Sequence, residues 1–327
     1  MSDMNINDQC LSLTPGSPYW WLSPDIIMVN MPPDENTANP DAGGNVTSAV
    51  TVHNSCEEFD VHTARFDLYV YAPSLSAGPI VDPAGVAVYN PPGGSFHTVT
   101  AFGTPVQVPW VVSSDSTKAN AADPPHHCLI ARCYPLTSPP DPGNIAYVNT
   151  DQHYAQHNVT INPIPMKSPK KRIPIRTGNS MREPQLVVIQ AVPDLEPAKG
   201  TLDTLLPSLK ATPGFKQIST KPLKEVSFDL DPLTKKEGGC IFDKIEDFFE
   251  DAVKDLLRDL EGKHKKAAPG GSGAHGRVQI PANFYSAFDF NVDITGANPG
   301  DAFIYHLTQT TSAGVENGGL TVVAVAV

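Results

Sequence analysis

The sequence predicts an all-β protein built of two β-sandwich domains. Apolar and polar residues alternate along two runs within residues 45–72, with apolar positions at Val46, Val50, Val52, Phe66, Leu68 and Val70. A period of two indicates strands that each hide one face, and such strands need a second sheet to cover that face. The 33 Pro and 24 Gly residues indicate many turns between short elements. A length of 327 residues favours two domains of ordinary size.

The first domain is expected at residues 23–165, after a lead-in at residues 1–22 that ends in an aromatic cluster. Its expected strands cover residues 23–29, the two runs within 45–72, and residues 86–89, 96–112, 126–134 and 153–164. About seven strands in this length is the count of an immunoglobulin-like sandwich.

The second domain is expected at residues 184–327, after a basic, Pro-rich linker at residues 166–183. Its expected strands cover residues 185–193, 226–230, 277–280, 287–294, 303–310 and 318–327. Residues 202–222 are broken by prolines, so neither a helix nor a strand is predicted there. Residues 241–261 carry an apolar stripe at helical spacing and end at Gly262, so they are predicted as the only helix, inserted in this sandwich.

Charge and cysteine content narrow the class of protein. The net charge of -12 argues against a nucleic-acid surface, and the basic linker is better explained by docking on the protein's own acidic surface. The five Cys residues have no regular spacing, which favours free thiols over a disulfide framework. No secretory signal or membrane-spanning stretch is visible, so we expect cytoplasmic synthesis, with signal-free export or an extracellular particle as alternatives.

Several motifs along the first domain follow one another in an order known from a bacterial family. The order is SPDI, GGNVTSAVTVHN, FDLYVY, VPW, HHCLIARCY and DQHYAQHNV. Over residues of about 20–165, this order resembles bacterial Ig-like modules of the CARDB kind. The chain departs from that pattern at Asn54-Ser55-Cys56, where the family has Gly. The resemblance implies an adhesion, spacer or assembly module and implies no catalytic activity.

Zinc-capable side chains cluster near the end of the first domain. They are His126, His127, Cys128, Cys133, His153 and His157. Alternation along a strand sends Cys128 and Cys133 to opposite faces, and the spacing of His153 and His157 is a zinc signature only on a helix. We therefore expect no metal and no other cofactor, and assign these residues as low-ranking candidates.

The sequence gives little support for two motifs of enzymes, a dinucleotide-binding turn and a nucleophile elbow. Residues 271–276, GSGAHG, match a dinucleotide-binding pattern, but a helix precedes them and a strand follows, which is the reverse of a phosphate-binding turn. A flexible connector explains them better. The nucleophile elbow G-x-S-x-G does not occur in the sequence, although sandwich loops can assemble a Ser-His-Asp triad without it.

The sequence as a whole favours a non-enzymatic structural, assembly or recognition protein that binds a protein partner or a second copy of itself. The alternative is a carbohydrate-binding protein or a hydrolase with its site on the sandwich loops. In that alternative Trp20, Trp21 and Trp110, with Tyr19, are the expected stacking residues. Aromatic side chains on one open face would favour sugar binding, whereas buried ones would favour a structural role.

Overall fold

The computed structural model shows a mostly β chain that divides into two compact units. The first unit contains Met1–Ser74, Pro79–Ile161 and Pro197–Phe215, and the second contains Leu75–Gly78, Asn162–Glu196 and Lys216–Val327. The structure describes residues 11–28, 45–54, 62–71, 75, 86–89, 96–99, 104–111, 128–135, 152–179, 183–230, 273–282 and 284–327.

The first unit is a β-sandwich. Its described strands are β1 (Leu11–Ser12), β2 (Ile26–Met28), β3 (Asn45–Asn54), β4 (His62–Tyr71), β5 (Val86–Tyr89), β6 (Phe96–Val99), β7 (Thr104–Val111), β8 (Cys128–Pro135) and β9 (Tyr154–His157). One sheet has the order β1-β3-β2, with β7 also beside β3. The other has the order β5-β4-β8-β9, with β6 also beside β4.

The core of the first unit lies between these two sheets, where the sequence pattern places it. Val50 and Val52 on β3 are at most 1% exposed, and Phe66 and Leu68 on β4 are fully buried. All four belong to one apolar cluster that takes residues from both sheets. The alternation within residues 45–72 therefore predicts the inward face correctly, because strands of period two turn every second side chain to the core.

The second unit also pairs two sheets. Its strands are β10 (Val159–Ile164), β11 (Lys170–Asn179), β12 (Gln185–Pro193), β13 (Gln217–Ile218), β14 (Glu225–Leu230), β15 (Ala274–Ile280), β16 (Phe284–Asp293), β17 (Asp301–Thr311) and β18 (Glu316–Ala326). The larger sheet has the order β10-β18-β17-β12-β15, with β13 parallel to β17. The smaller sheet has the order β11-β16-β14.

Aromatic side chains fill the core of the second unit. The Phe290 ring centroid lies 5.4 Å from that of Phe228 and 5.8 Å from that of Tyr305, and Phe290 is fully buried. The three rings come from β16, β14 and β17, so they join the small sheet to the large one. Residues 318–326 of β18 are buried on both faces, as are residues 301–310 of its neighbour β17, which explains why this part of β18 is a nearly continuous apolar run. The all-β class predicted from the sequence is confirmed.

The basic segment at residues 166–183 contains a strand where a linker was expected. Lys170–Asn179 form β11, which pairs with β16 along its whole length. Ile173 and Ile175 point into the core at 4% and 1% exposure, and they alternate with basic residues and a proline. A period-two signal is therefore present in KKRIPIR, although charge dominates its composition. The last residues of the GSGAHG motif likewise begin strand β15 rather than a flexible connector.

The helix that the structure describes lies largely within residues 202–222, for which the sequence predicts neither helix nor strand. Helix α1 runs over Lys199–Ala211 and carries Pro207 inside it. A helix is therefore present outside residues 241–261, where the sequence predicts the only one, and residues 241–261 themselves lie outside the described residues. Leu205 and Leu209 form the buried side of α1 at 1% and 0% exposure. Within the part of the chain that is described, no helix is both long and apolar enough to cross a membrane.

Candidate functional site

The two cysteines of β8 lie on opposite faces of their sheet, as strand alternation predicts. Cys133 belongs to the apolar core between the sheets. The Cys128 sulfur accepts a hydrogen bond from Gln156 Nε2 at 2.9 Å, on the other face. Burial raises the pKa of the Cys128 thiol to about 12, and this hydrogen bond offsets the effect only in part. Since metals bind the thiolate, these surroundings disfavour Cys128 as a ligand.

The histidines among the metal candidates do not form a cluster with other donors in the described residues. His126 and His127 lie outside those residues, and His153 precedes β9. Burial lowers the pKa of His157 to about 4, so the ring is neutral near pH 7. In the described ranges, no group of three or more His, Cys, Asp or Glu side chains is placed to hold a metal ion.

The aromatic residues proposed for sugar stacking are packed against one another. Trp21 is 1% exposed, and its ring lies 5.2 Å from that of Tyr19 and 5.5 Å from that of Trp20. Backbone hydrogen bonds hold this segment beside β9. Just after that strand, the Asn158 N–H donates to the Trp21 carbonyl at 3.0 Å. Trp21 is therefore closed to a ligand, whereas Tyr19 and Trp20 are half-buried. Trp110 lies on β7, and its side chain is outside the described set.

A buried ion pair crosses the outer face of the sheet that contains β4 and β8. Arg132 Nη2 donates to Asp67 Oδ2 at 2.6 Å, and both side chains are at most 3% exposed. The guanidinium carbon also lies 5.2 Å from the centre of the Tyr69 ring. Burial by itself would lower the pKa of Arg132. Hydrogen bonds to Asp67 and Tyr154 and the charge interactions with Tyr69 and Asp67 outweigh this effect, so the pKa is raised above its ordinary value. The pair thus stays ionised and ties the two strands together.

The second unit contains a buried chain of hydrogen bonds centred on His306. The His306 ring lies 2.9 Å through Nε2 from Asp194 Oδ2 and 3.0 Å through Nδ1 from Thr321 Oγ1. A hydroxyl, an imidazole and a carboxylate in this order have the connectivity of an activated nucleophile. However, Thr321 is 0% exposed and His306 is 2% exposed, so a substrate has no access to the hydroxyl in this structure.

A second imidazole–carboxylate pair lies at the surface of the first unit. His53 Nε2 is 3.0 Å from Asp25, and its side chain is 41% exposed. The Thr14 N–H donates to Asp25 Oδ2 at 2.6 Å, and the Thr51 N–H donates to the Asp25 carbonyl at 3.0 Å. Asp25 therefore fastens the segment before β2 to β3, which is a structural task.

The smaller sheet of the second unit presents a solvent-exposed surface on which charge is separated by strand. We call this surface the charged face. It consists of Lys170, Arg172 and Arg176 on β11, Asp289 and Asp293 on β16, and Glu225 and Asp229 on β14. The apolar residues that alternate with them on all three strands point into the core, so alternation fixes these side chains outward.

Among the described residues, the charges on this face are only partly neutralised. Lys170 Nζ lies 3.4 Å from Asp293 and Arg172 Nη1 lies 3.8 Å from Asp289, while the two basic side chains stay 77% and 73% exposed. Hydrogen bonds from Thr295, and then Lys170, hold the pKa of Asp293 below its ordinary value. The expectation that the basic segment docks on the protein's own acidic surface is thus met for these two side chains.

Sequence reasoning missed the charged face, although its signal is present. Acidic residues alternate with apolar ones in EVSFDL and FDFNVD, as basic ones do in KKRIPIR. What the sequence does not contain is the strand order, which places the basic strand and the two acidic strands side by side.

Comparisons with known proteins find neither a matching family model nor a matching curated protein. Among solved structures, the collagen adhesin CNA from S. aureus is similar over 92% of this chain and 91% of its own, with 10% identity and a TM-score of 0.23. A BSP domain of a biofilm-associated protein is similar over 91% of this chain and 58% of its own, with 8% identity and a TM-score of 0.21. Superpositions this loose do not establish a shared fold, so the all-β architecture rests on the strands themselves.

Proposed function

We propose that the protein is a non-enzymatic assembly or recognition protein, and that it binds its partner through the charged face. The observation that carries this proposal is the exposure of separated charge on a rigid sheet. Lys170 and Arg172 project from β11 at 77% and 73% exposure, two strands away from the acidic residues of β14. The sheet fixes the spacing of the strands that carry these charges, and a surface with a complementary charge pattern would be attracted in one orientation.

The other polar clusters support a structural rather than a catalytic role. The hydroxyl of Thr321 and the ion pair between Asp67 and Arg132 are buried, and Asp25 is occupied in fastening two segments together. The resemblance of residues of about 20–165 to CARDB-like modules is a prediction that agrees with such a role. The carbohydrate-binding alternative rests on Trp20 and Trp110, since Trp21 is closed.

A photo-crosslinking amino acid placed on the charged face tests the proposal. Ser227 lies in the middle of β14 and is exposed, so Ser227 replaced by a photoreactive residue samples whatever covers the face. Irradiation in the native host should give an adduct of discrete mass, and K170E/R172E in the same chain should remove it. Lys210 on α1, also exposed, is the control position and should give no such adduct. Absence of an adduct at position 227 would contradict the proposal.

A further inference from the structure

We infer that the partner of the charged face is a second copy of this chain. In this arrangement the two faces meet about a two-fold axis that runs parallel to β16, so that β11 of each copy lies over β14 of the other. This inference rests on the proposed function, because it names the partner that the charged face binds.

The register of the sheet makes the face complementary to itself. Lys170 is paired with Asp293, which is paired in turn with Glu225, so these three residues form one row across the sheet. Pro174, Asp289 and Asp229 form another row. A two-fold axis along the middle strand exchanges the outer strands and keeps each row at its own height.

Lys170 of one copy therefore lies over Glu225 of the other, and the same contact occurs twice. Arg172 lies between the heights of Glu225 and Asp229 and can reach both. Charges of opposite sign thus face each other along both outer strands, as an isologous interface requires.

The middle of this interface carries little net charge. Asp289 and Asp293 of the two copies face each other there, but each already has a basic partner in its own chain, at 3.8 Å and 3.4 Å. A lysine ammonium has three donors and a guanidinium has five, so Lys170 and Arg172 can hold these carboxylates and still donate across the interface. An axis perpendicular to the strands would instead place β11 over β11, which like charges oppose.

Association through the edge of β11 is less favourable than association through the face. The Arg176 carbonyl accepts from the Leu75 N–H at 2.8 Å, so even-numbered residues of β11 turn their backbone groups away from β16, and Leu75 already occupies part of that edge. Pro174 is one of them and has no N–H to offer, and the neighbouring lysine and arginine side chains discourage strand addition. Strand addition at this edge is therefore disfavoured, whereas Lys170 and Arg172 on the face are exposed.

The size of the face predicts a weak, salt-sensitive dimer. Three strands over the six residues of β14 cover about 15 Å by about 20 Å, or about 300 Å² on each copy. This is well below the area of a standard stable interface. Contacts between exposed charges also weaken as ionic strength rises.

A charge-swap experiment on the purified full chain tests the inference, with sedimentation equilibrium in low salt as the assay. Wild type should dimerise. K170E/R172E and E225K/D229K should each weaken self-association by at least about tenfold, because each creates like-charge pairs across the interface. An equimolar mixture of the two variants should recover the dimer. Circular dichroism checks that both variants keep the wild-type fold.

Each alternative result has a definite meaning. A wild type that is monomeric at its highest attainable concentration overturns the inference, as does a mixture of the two variants that stays monomeric. K199E/K210E makes the same change of charge on a helix of the first unit and should dimerise like wild type. Loss of its dimer would show that net charge alone is responsible and would overturn the inference. An adduct at position 227 that contains a different protein would leave the proposed function standing and remove this inference.

Discussion

The buried pair of Asp67 and Arg132 gives a sharp prediction about stability. Arg132→Met keeps much of the side-chain volume but leaves the Asp67 carboxylate buried without its counter-charge. Removing one member of a buried ion pair costs about 3 to 5 kcal/mol of the free energy of unfolding. Arg65→Met is the matched control, since Arg65 lies 3.8 Å from the same carboxylate but is 44% exposed. That change should cost less than about 1 kcal/mol.

Tryptophan fluorescence during urea unfolding measures the stability of the first unit, which contains the substituted residues of both variants. All three tryptophans, Trp20, Trp21 and Trp110, belong to the first unit, so the signal is insensitive to the second. A double variant, Asp67→Leu with Arg132→Met, should recover most of the lost stability, because an apolar pair carries no desolvated charge. If Arg132→Met and Arg65→Met cost the same, the argument that burial makes this pair strong is wrong.

Three further predictions follow from the buried polar groups. Neither Cys128 nor Cys133 forms a disulfide, and both are buried. Iodoacetamide should therefore label neither in the native protein and both in denaturant, as read by peptide mass mapping; a disulfide at either position would contradict this. Since the folded-state pKa of His157 is lowered from 6.5 to about 4, its contribution to stability is complete above pH 6.5 and is lost as the pH falls towards 4. That loss is at most about 3 kcal/mol, and His157→Gln should remove it from the pH dependence of the unfolding midpoint. Thr321→Val leaves a ring nitrogen of the buried His306 without this partner, so thermal unfolding should show a loss of about 1 to 3 kcal/mol; an unchanged midpoint would mean that the bond contributes nothing.

The inward faces of the strands could be predicted from the sequence because they depend on local alternation alone. Phe66, Leu68 and Val70 occupy the core for that reason. The outward face could not be predicted in the same way. Alternation turns Asp67 to the outward side of β4, yet it is buried beside Arg132, and only the register between β4 and β8 reveals that these two residues are neighbours.

Helix α1 was missed because its local signals are weak. Its first cap residue, Ala198, makes no side-chain capping bond, and Pro207 interrupts the interior. Proline removes a backbone donor and disfavours a helix, so the sequence predicts no helix in this stretch. The burial of Leu205 and Leu209 indicates that tertiary packing, rather than propensity, stabilises this helix.

The division of the chain into units also determines when each unit can be completed during synthesis. The first unit includes Pro197–Phe215, which emerge from the ribosome only after much of the second unit's early sequence. At ordinary rates of translation, about 5 to 20 residues per second, the first sandwich waits several seconds for its helix. A fragment that stops at residue 165 lacks this helix altogether. Leu205 and Leu209 would be missing from such a fragment, so cutting the gene at the predicted end of the first domain would yield an unfinished domain.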